Sequence, residues 1–339
     1  MGETMHNTAM VMSAAGADPV AEDRPIPEPG PGEVVVRVRA SSLNYHDLVN
    51  LLGLIHGPWP RVPMTDGAGE VVAIGDGVTN PAVGDRVFGA FQPLWPEGRL
   101  TRTRRGWIPG DTTDGWLQQY MRFPAAALIA TPPHLDDREA ATLVCAGTTA
   151  WSALRGANLK AGDVVVTQGT GGVSLFALQL AKAQGATVIL TSSSDDKLAF
   201  GRSLGADHVI NYRTTPDWER AVRAITGGEG ADLVLDLGGQ ETLGRSVKAT
   251  RCDGSVAIIG VLSGHGNADF PVSDAMTRQV RLYGVAVGSV EAHRELARAV
   301  AATGLRPQIS HTFDWTDLAE ARRVQHANEH LGKIAITIP

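Results

Sequence analysis

The sequence predicts an α/β protein of two domains, one a β-rich fold and the other a doubly wound parallel sheet. Up to about residue 125, short apolar segments are broken by Gly and Pro at close intervals, which is the pattern of a strand-dominated domain. From about 126 to 284, apolar strands alternate with amphipathic helical stretches. Near-continuous apolar strands in such an alternation imply a parallel sheet covered on both faces. The length of 339 residues fits about two domains at roughly 150 residues each.

In the first segment, residues 33–39, 69–74 and 85–88 read as strands bounded by turn residues. Residues 92–115 lack periodicity and are rich in Pro, Gly, Arg and Trp. They read as a long loop or lobe, and loops of that length tend to be functional. In the second segment, 163–167 is a buried strand and 173–184 a helix, with Phe176, Leu178, Leu180 and Ala181 supplying its apolar faces. Strand 187–190, helix 195–204 and strands 208–211, 233–237 and 256–259 follow. The last segment carries helices around 291–303 and 316–327 and a final strand at 333–338. It reads as a return to the first domain, giving 1–125 with 285–339 and, between them, 126–284.

Hydrophobic residues make up 43% and charged residues 19% of the chain, so a sizeable core is expected. The formal net charge of −6 argues against a nucleic-acid partner, because that surface needs many Lys and Arg contacts to phosphate. Apolar runs fall short of the ~20 residues of a bilayer span, so no membrane partner is expected. Residues 1–19 lack the basic start and apolar stretch of a secretory leader, and a cytoplasmic location follows as the expectation. The two cysteines, Cys145 and Cys252, are too few for a disulfide framework or for a zinc site of four thiolates.

The sharpest signal is Val164-Val165-Val166-Thr167-Gln168-Gly169-Thr170-Gly171-Gly172-Val173-Ser174-Leu175. It reads as strand, glycine turn and helix. Gly169 permits the tight turn, and Gly171 lets the main chain approach a diphosphate without a Cβ in the way. Ser174 stands at the third glycine position of G-x-G-x-x-G. Free N–H groups from Thr170, Gly172 and Val173 onward, with the positive end of the helix dipole, would meet the phosphates. The following strand ends Leu190-Thr191-Ser192-Ser193-Ser194, where a site for NAD would place a carboxylate on the ribose 2′-OH. Ser192, Ser193 and Lys197 suit a 2′-phosphate instead, which favours NADP(H). Asp195 and Asp196 are the contrary signal, although acids also belong in the first turn of a helix.

Four stretches together resemble the medium-chain dehydrogenase/reductase superfamily over nearly the whole chain. They are Asp66-Gly67-Ala68-Gly69-Glu70-Val71-Val72 with Val83-Gly84-Asp85-Arg86-Val87, Cys145-Ala146-Gly147-Thr148-Thr149-Ala150-Trp151, the glycine turn, and Gly205-Ala206-Asp207-His208-Val209-Ile210-Asn211-Tyr212. The flavour resembles the zinc-lacking quinone-reductase and enoyl-reductase branches and an alcohol-dehydrogenase-like clade beside them. The resemblance implies a GroES-like catalytic domain and a Rossmann domain, with the nucleotide in the cleft between them. It implies that Tyr212 joins Ser192 and Lys197 at the 2′-phosphate, that Gly238 and Gly239 pass the adenosine, and that Leu262 and Thr149 lie near the nicotinamide. It also implies a homodimer formed through the strand around 282–287.

The departures matter as much. Zinc-dependent relatives place a Cys at the position of Asn44 and a His at that of Thr65, while the third ligand position keeps Cys145. No cysteine lies in 92–115, where the family's structural zinc is held. Neither zinc is expected. Without a metal, hydride chemistry suits an acceptor that is already electrophilic, such as an enone, quinone or enoyl thioester. The segment Leu43-Asn44-Tyr45-His46-Asp47 resembles the motif of the zinc-lacking branch. Asn44 would hold the cofactor or a substrate carbonyl. Tyr45 would donate to the developing oxyanion or serve as pocket wall, and His46 is the alternative donor. Asp47 is expected to cap the next helix. Phe91 and Trp95 would line the mouth for a small-molecule substrate or pack the lobe, as would Trp107. Arg99, Arg102, Arg104 and Arg105 read as a solvated run or an anion attractor. Three functions remain open on these residues: an NADPH-dependent reductase of activated C=C bonds or quinones, a zinc-independent alcohol/carbonyl dehydrogenase, and a non-enzymatic nucleotide-binding partner protein.

Overall fold

The computed structural model describes residues 6–54, 57–264 and 266–339. It divides into two compact units, Met1–Thr148 with Gly288–Pro339 and Thr149–Val287. The sequence style changes near 126, but the units part at Thr148. The residues in between hold a strand and a helix that belong to the first unit.

In the first unit, β1 (Asn7–Val11) and β2 (Val20–Arg24) form an antiparallel pair. β3 (Glu33–Leu43) is the spine of the main sheet. Val34, Val35, Val36, Val38 and Ala40 on it are buried, so both of its faces are covered. Helix α1 (Tyr45–Leu51) follows it, then β4 (Ala68–Ile74), β5 (Arg86–Gly89), β6 (Tyr120–Pro124), β7 (Leu128–Ala130) and α2 (Asp137–Thr142). Residues 92–115 carry no helix or strand, as expected of a lobe. A π-helical turn, Leu143–Gly147, holds Cys145.

The second unit opens with α3 (Thr148–Gly156), which starts at the division. Strands β8 (Val164–Gln168), β9 (Thr187–Ser192), β10 (His208–Asn211), β11 (Ala231–Asp236), β12 (Thr250–Ile258) and β13 (Arg281–Gly284) then alternate with α4 (Gly172–Ala183), α5 (Asp195–Ser203), α6 (Trp218–Ile225), α7 (Leu243–Ala249) and α8 (Val272–Thr277). The strands are all parallel, in the order β10-β9-β8-β11-β12-β13. The order reverses between β8 and β11, and in such sheets ligands bind beyond the strand carboxyl ends at that reversal. Val166, Ile189, Val234 and Val256 are fully buried with Trp218, Val222 and Val247. This burial explains why the strands read as continuous apolar runs.

The chain then returns to the first unit with α9 (Val290–Thr303), β14 (Ile309–Asp314), α10 (Leu318–His326) and β15 (Lys333–Thr337). β15 pairs antiparallel with the end of β3, setting Ile334 opposite Leu43 and Ala335 opposite Ser42. The last strand therefore delivers Lys333 to the point where β3 passes into α1. No helix among the described residues is long and apolar enough to cross a membrane.

Two features of the first unit yield predictions. A Cβ on Gly67 would stand 2.0 Å from the Trp116 ring, and Trp116 is fully buried. Gly67→Ala is expected to destabilise by about 1–3 kcal/mol through overpacking, measured as a lower urea midpoint. His293 is also fully buried. Its Nδ1 lies 2.8 Å from the Ser289 carbonyl, and its Nε2 accepts from Phe91 N–H at 3.3 Å. Burial pushes its pKa from 6.5 down to about 4, against the raising effect of backbone hydrogen bonds at Ser289 and Val144. The folded state therefore holds the ring neutral. This stability is complete above about pH 6.5 and is lost as pH falls through about 4, roughly 3 kcal/mol in all. His293→Gln should flatten that acid slope in denaturation curves collected between the two limits.

Candidate functional site

In the second unit the glycine turn sits at the carboxyl end of β8, beside the reversal of strand order. Gln168 ties this end to that of β11. Its Nε2 donates to Ser246 Oγ at 2.9 Å and to Asp236 Oδ2 at 3.4 Å, and its Oε1 accepts from Leu237 N–H at 3.1 Å. Gly169 has φ +77° and donates its N–H to the Thr191 carbonyl at 2.7 Å. A Cβ at Gly169 or Gly171 would meet nothing within 4 Å. Gly171 has an ordinary φ of −78° and caps α4 without a side-chain bond. Neither protein packing nor backbone conformation requires glycine at 171, whereas open space in front of uncapped N–H groups suits an anion. The turn fits a dinucleotide diphosphate at Gly169, Thr170, Gly171, Gly172 and Val173. Ser174 is buried and donates to the Gln168 carbonyl at 2.5 Å, so the residue in the third glycine position also closes the turn.

The adjoining strand ends carry the other expected nucleotide residues. Ser192 is buried at the end of β9, with Ser193 half-buried after it. Tyr212 follows β10, exposed, and its N–H donates to the Ser192 carbonyl at 3.0 Å. Lys197 stands in the first turn of α5, where burial lowers its pKa. Asp195 accepts from Asn211 Nδ2 at 2.7 Å, which gives that acid a structural partner. Thr149 is buried at the start of α3, and Leu262 is exposed after β12. Gly238 has a packing reason of its own, since a Cβ there would stand 2.4 Å from Thr242 Oγ1.

In the first unit, Asn44 caps α1 and Asp47 completes the capping box. Asp47 Oδ2 accepts from Asn44 N–H at 2.9 Å and Nδ2 at 3.1 Å, and Asp47 Oδ1 accepts from Thr65 N–H at 2.9 Å. The capping role expected for Asp47 is what the structure shows. Lys333, which sequence reasoning missed, is buried beside this corner. Its Nζ donates to the Leu43 carbonyl at 2.6 Å and to Asn44 Oδ1 at 2.5 Å, and lies 3.4 Å from Asp66 Oδ2. Asp66 also accepts from Ser42 Oγ at 2.6 Å and from Cys145 N–H at 3.1 Å. Burial raises the Asp66 pKa to about 6, opposed chiefly by the Lys333 charge.

This donor set does not fit zinc. The Asn44 amide is engaged at both ends by Lys333 and Asp47, Thr65 offers a neutral hydroxyl, and Cys145 is the one soft donor of the three. A resident ammonium would also repel a divalent cation. Among the described residues, no group of three His, Cys, Asp or Glu side chains could hold a metal ion.

Tyr45 and His46 begin α1. Tyr45 is exposed. The His46 ring is about a quarter exposed, with Nε2 3.3 Å from Asp111 Oδ2 in the lobe. Phe91 is buried and packs edge-on to His46, with ring centroids 5.3 Å apart. Trp95 is half-buried, and its indole N–H closes a lobe turn on the Gly98 carbonyl at 2.9 Å. Trp107 Nε1 donates to Thr113 Oγ1 at 2.6 Å within the same lobe. Among the arginines, Arg104 donates to the Glu97 and Arg99 carbonyls, both at 2.7 Å. The one sequence cue for Lys333 was a cation opening an otherwise apolar strand. Asp111 carried no cue.

Lys333→Met is expected to cost about 3–5 kcal/mol, because it strands a buried carboxylate. Adding Asp66→Asn should restore much of that loss, a coupling read from urea unfolding of the two single variants and the double variant.

Residues 30–133 match the family described as "Alcohol dehydrogenase GroES-like domain", and residues 172–302 match "Zinc-binding dehydrogenase". A zinc-type alcohol dehydrogenase-like protein of Schizosaccharomyces pombe is 39% identical over 316 residues, which is 91% of each chain. Among solved structures, an NAD-dependent alcohol dehydrogenase is 34% identical with a TM-score of 0.89, covering 98% of this chain and 100% of the other. A 2-octenoyl-CoA carboxylase reductase, CinF, in complex with NADP and 2-octenoyl-CoA is 26% identical with a TM-score of 0.87, covering 98% and 87%. The β-rich unit closed by its own C-terminal strand, the parallel sheet with its glycine turn, and this degree of identity lead to one conclusion: the chain belongs to the medium-chain dehydrogenase/reductase superfamily of oxidoreductases.

Proposed function

We propose that this chain is a zinc-independent, NADPH-dependent oxidoreductase that transfers hydride to an activated C=C bond or a quinone-type acceptor. The observation that carries this reading is the Lys333 ammonium bonded to Asn44 Oδ1, in the corner where zinc-dependent relatives hold their metal. A simple ketone becomes an alkoxide on reduction and normally asks for a Lewis acid. An enone, quinone or enoyl thioester spreads the charge into an enolate or phenolate, which hydrogen-bond donors can hold.

Bound nicotinamide nucleotide would supply the hydride. The main chain of residues 169–173 would hold its diphosphate. Ser192, Ser193, Lys197 and Tyr212 would hold the 2′-phosphate, with Gly238 passing the adenosine and Thr149 and Leu262 beside the nicotinamide. Asn44 would orient the acceptor carbonyl with the Nδ2 hydrogen that Asp47 does not take, its own carbonyl oxygen being pinned by Lys333. Tyr45 and His46 supply donors to the developing oxyanion, and Phe91 and Trp95 form the apolar wall. A homodimer and a cytoplasmic location belong to the same proposal. The CinF relative, bound to NADP and an enoyl-CoA, supports the acceptor class. The NAD-dependent alcohol dehydrogenase relative keeps a second reading open, a zinc-independent alcohol/carbonyl dehydrogenase.

The test is nucleotide oxidation against 1,4-benzoquinone, 3-penten-2-one, trans-2-octenoyl-CoA and hexanal, with NADH and EDTA controls. Turnover should be greatest with NADPH and an activated acceptor, and unchanged by EDTA. Lys197→Ala should raise KM for NADPH by roughly 10-fold and leave that for NADH alone, the loss of one charge-assisted contact. Activity abolished by EDTA, or preference for hexanal, would defeat the reading.

A further inference from the structure

The lobe brings a carboxylate to His46, and its placement is built rather than incidental. Asp111 is 65 positions from His46 in the chain, and its side chain is only 8% exposed. Two side chains clamp the main chain that carries it. The Arg61 guanidinium donates to the Asp111 carbonyl and to Asn50 Oδ1. Asn50 Nδ2 donates to the Gly110 carbonyl at 2.7 Å. Asn50 lies four residues after His46 on α1, hence on the same face of the helix. One helical face therefore grips the lobe backbone with Asn50 and meets the lobe carboxylate with His46. The Phe91 ring, edge-on at an interplanar angle of 77°, fixes the imidazole plane from another side.

Asp111 faces Nε2 directly, and Arg61 stands behind Asp111, stacked 4.0 Å over the Trp59 ring. Burial lowers the Arg61 pKa and Asp111 opposes that lowering. Asp47, the other acid of α1, is taken up by Asn44 and Thr65. His46 Nε2 is itself buried and lacks a well-formed hydrogen bond, so a small tilt of the ring toward Asp111 would complete one. Tyr45 has no ionisable partner among the described residues.

Building on the proposed reduction of an activated acceptor, we propose that Asp111 is a positioning residue that makes His46 the proton donor. Asp111 takes Nε2–H and stabilises the imidazolium, leaving Nδ1–H for the acceptor. As hydride arrives at the β-carbon of an enone, the C=C electron pair moves toward the carbonyl and charge gathers on its oxygen. The Nδ1–H bond breaks, the O–H bond forms, and the electron pair stays on Nδ1. Water returns a proton to the neutral imidazole, and the enol tautomerises to the saturated ketone. The arrangement follows the rule that a carboxylate behind a histidine sets its tautomer and favours its charged form.

Two readouts test this. In protein labelled with ¹³C in the histidine rings, the His46 signals are identified by their loss in His46→Gln. The shifts of the neutral ring should report the Nε2–H tautomer in wild-type protein, and that preference should weaken in Asp111→Asn. In NADPH-dependent reduction of 3-penten-2-one, kcat should decline as pH rises, and that limb should move to lower pH in Asp111→Asn. His46→Gln should lose the limb and about 10²-fold in kcat, with KM for NADPH unchanged, while Tyr45→Phe keeps the limb. Ring shifts unchanged in Asp111→Asn overturn the pairing. A kinetic limb that stays in place while the ring shifts change overturns the donor role. If wild-type protein turns over no acceptor, the functional reading falls and the donor role with it. The ring shifts still decide the pairing, because they need no substrate.

Discussion

The antiparallel pairing of β15 with the end of β3 places the Lys333 ammonium among the Leu43 carbonyl, the Asn44 amide oxygen and the Asp66 carboxylate. Around it the first unit's polar interior is organised. A buried cation needs acceptors and a counter-charge, or it gives up its proton. Here both are supplied, and they fix the neighbours in turn. Asn44 presents its carbonyl to Lys333 and its amide nitrogen to Asp47, so its orientation is set on two sides. Asp66 is held by Ser42, Lys333 and the Cys145 amide, which ties β3, β15 and the π-helical turn at Leu143–Gly147 into one network. An ammonium in that corner repels a divalent cation, and on this the proposed zinc-independent reading rests.

The second unit works by a different principle. Its candidate binding groups are largely main-chain amides and small hydroxyls. Side chains such as Gln168, Asp236 and Ser246 act behind them, fastening the ends of β8 and β11 together. Gly239 N–H and Thr242 Oγ1 donate to Asp236 Oδ1 at 2.8 and 3.0 Å, so that buried carboxylate is fully engaged in holding the β11 turn. Preorganised amides lose little on binding an anion, since the turn is already held by bonds within the protein.

Much of the second unit was legible because its signals are local. Strand 208–211 matched β10, and helix 173–184 differed from α4 by one residue at each end. The glycine turn announced itself through a strand on one side and a helix on the other. The first unit was less readable. β7 lies beyond residue 126, yet its hydrogen-bond partner is β5, so the first unit runs on to Thr148. β1 and β2 gave no clear alternation, since β2 is largely exposed. Asp47 was readable as a cap because a capping box spans only four residues, here 44 to 47. Lys333 and Asp111 were not, because their partners lie 289 and 65 positions away.

By itself the sequence determined the alternation that makes a parallel sheet, the glycine turn between β8 and α4, and the residue types at the corner around Asn44. Each of these depends on residue type and spacing within a short window, where backbone geometry links the residues directly. Only the tertiary structure decided that a lysine from the last strand takes the corner beside Asn44, and that a lobe carboxylate stands against His46. Those contacts depend on strand register and on the path of a loop without regular structure, and both are set by the packing of the whole unit.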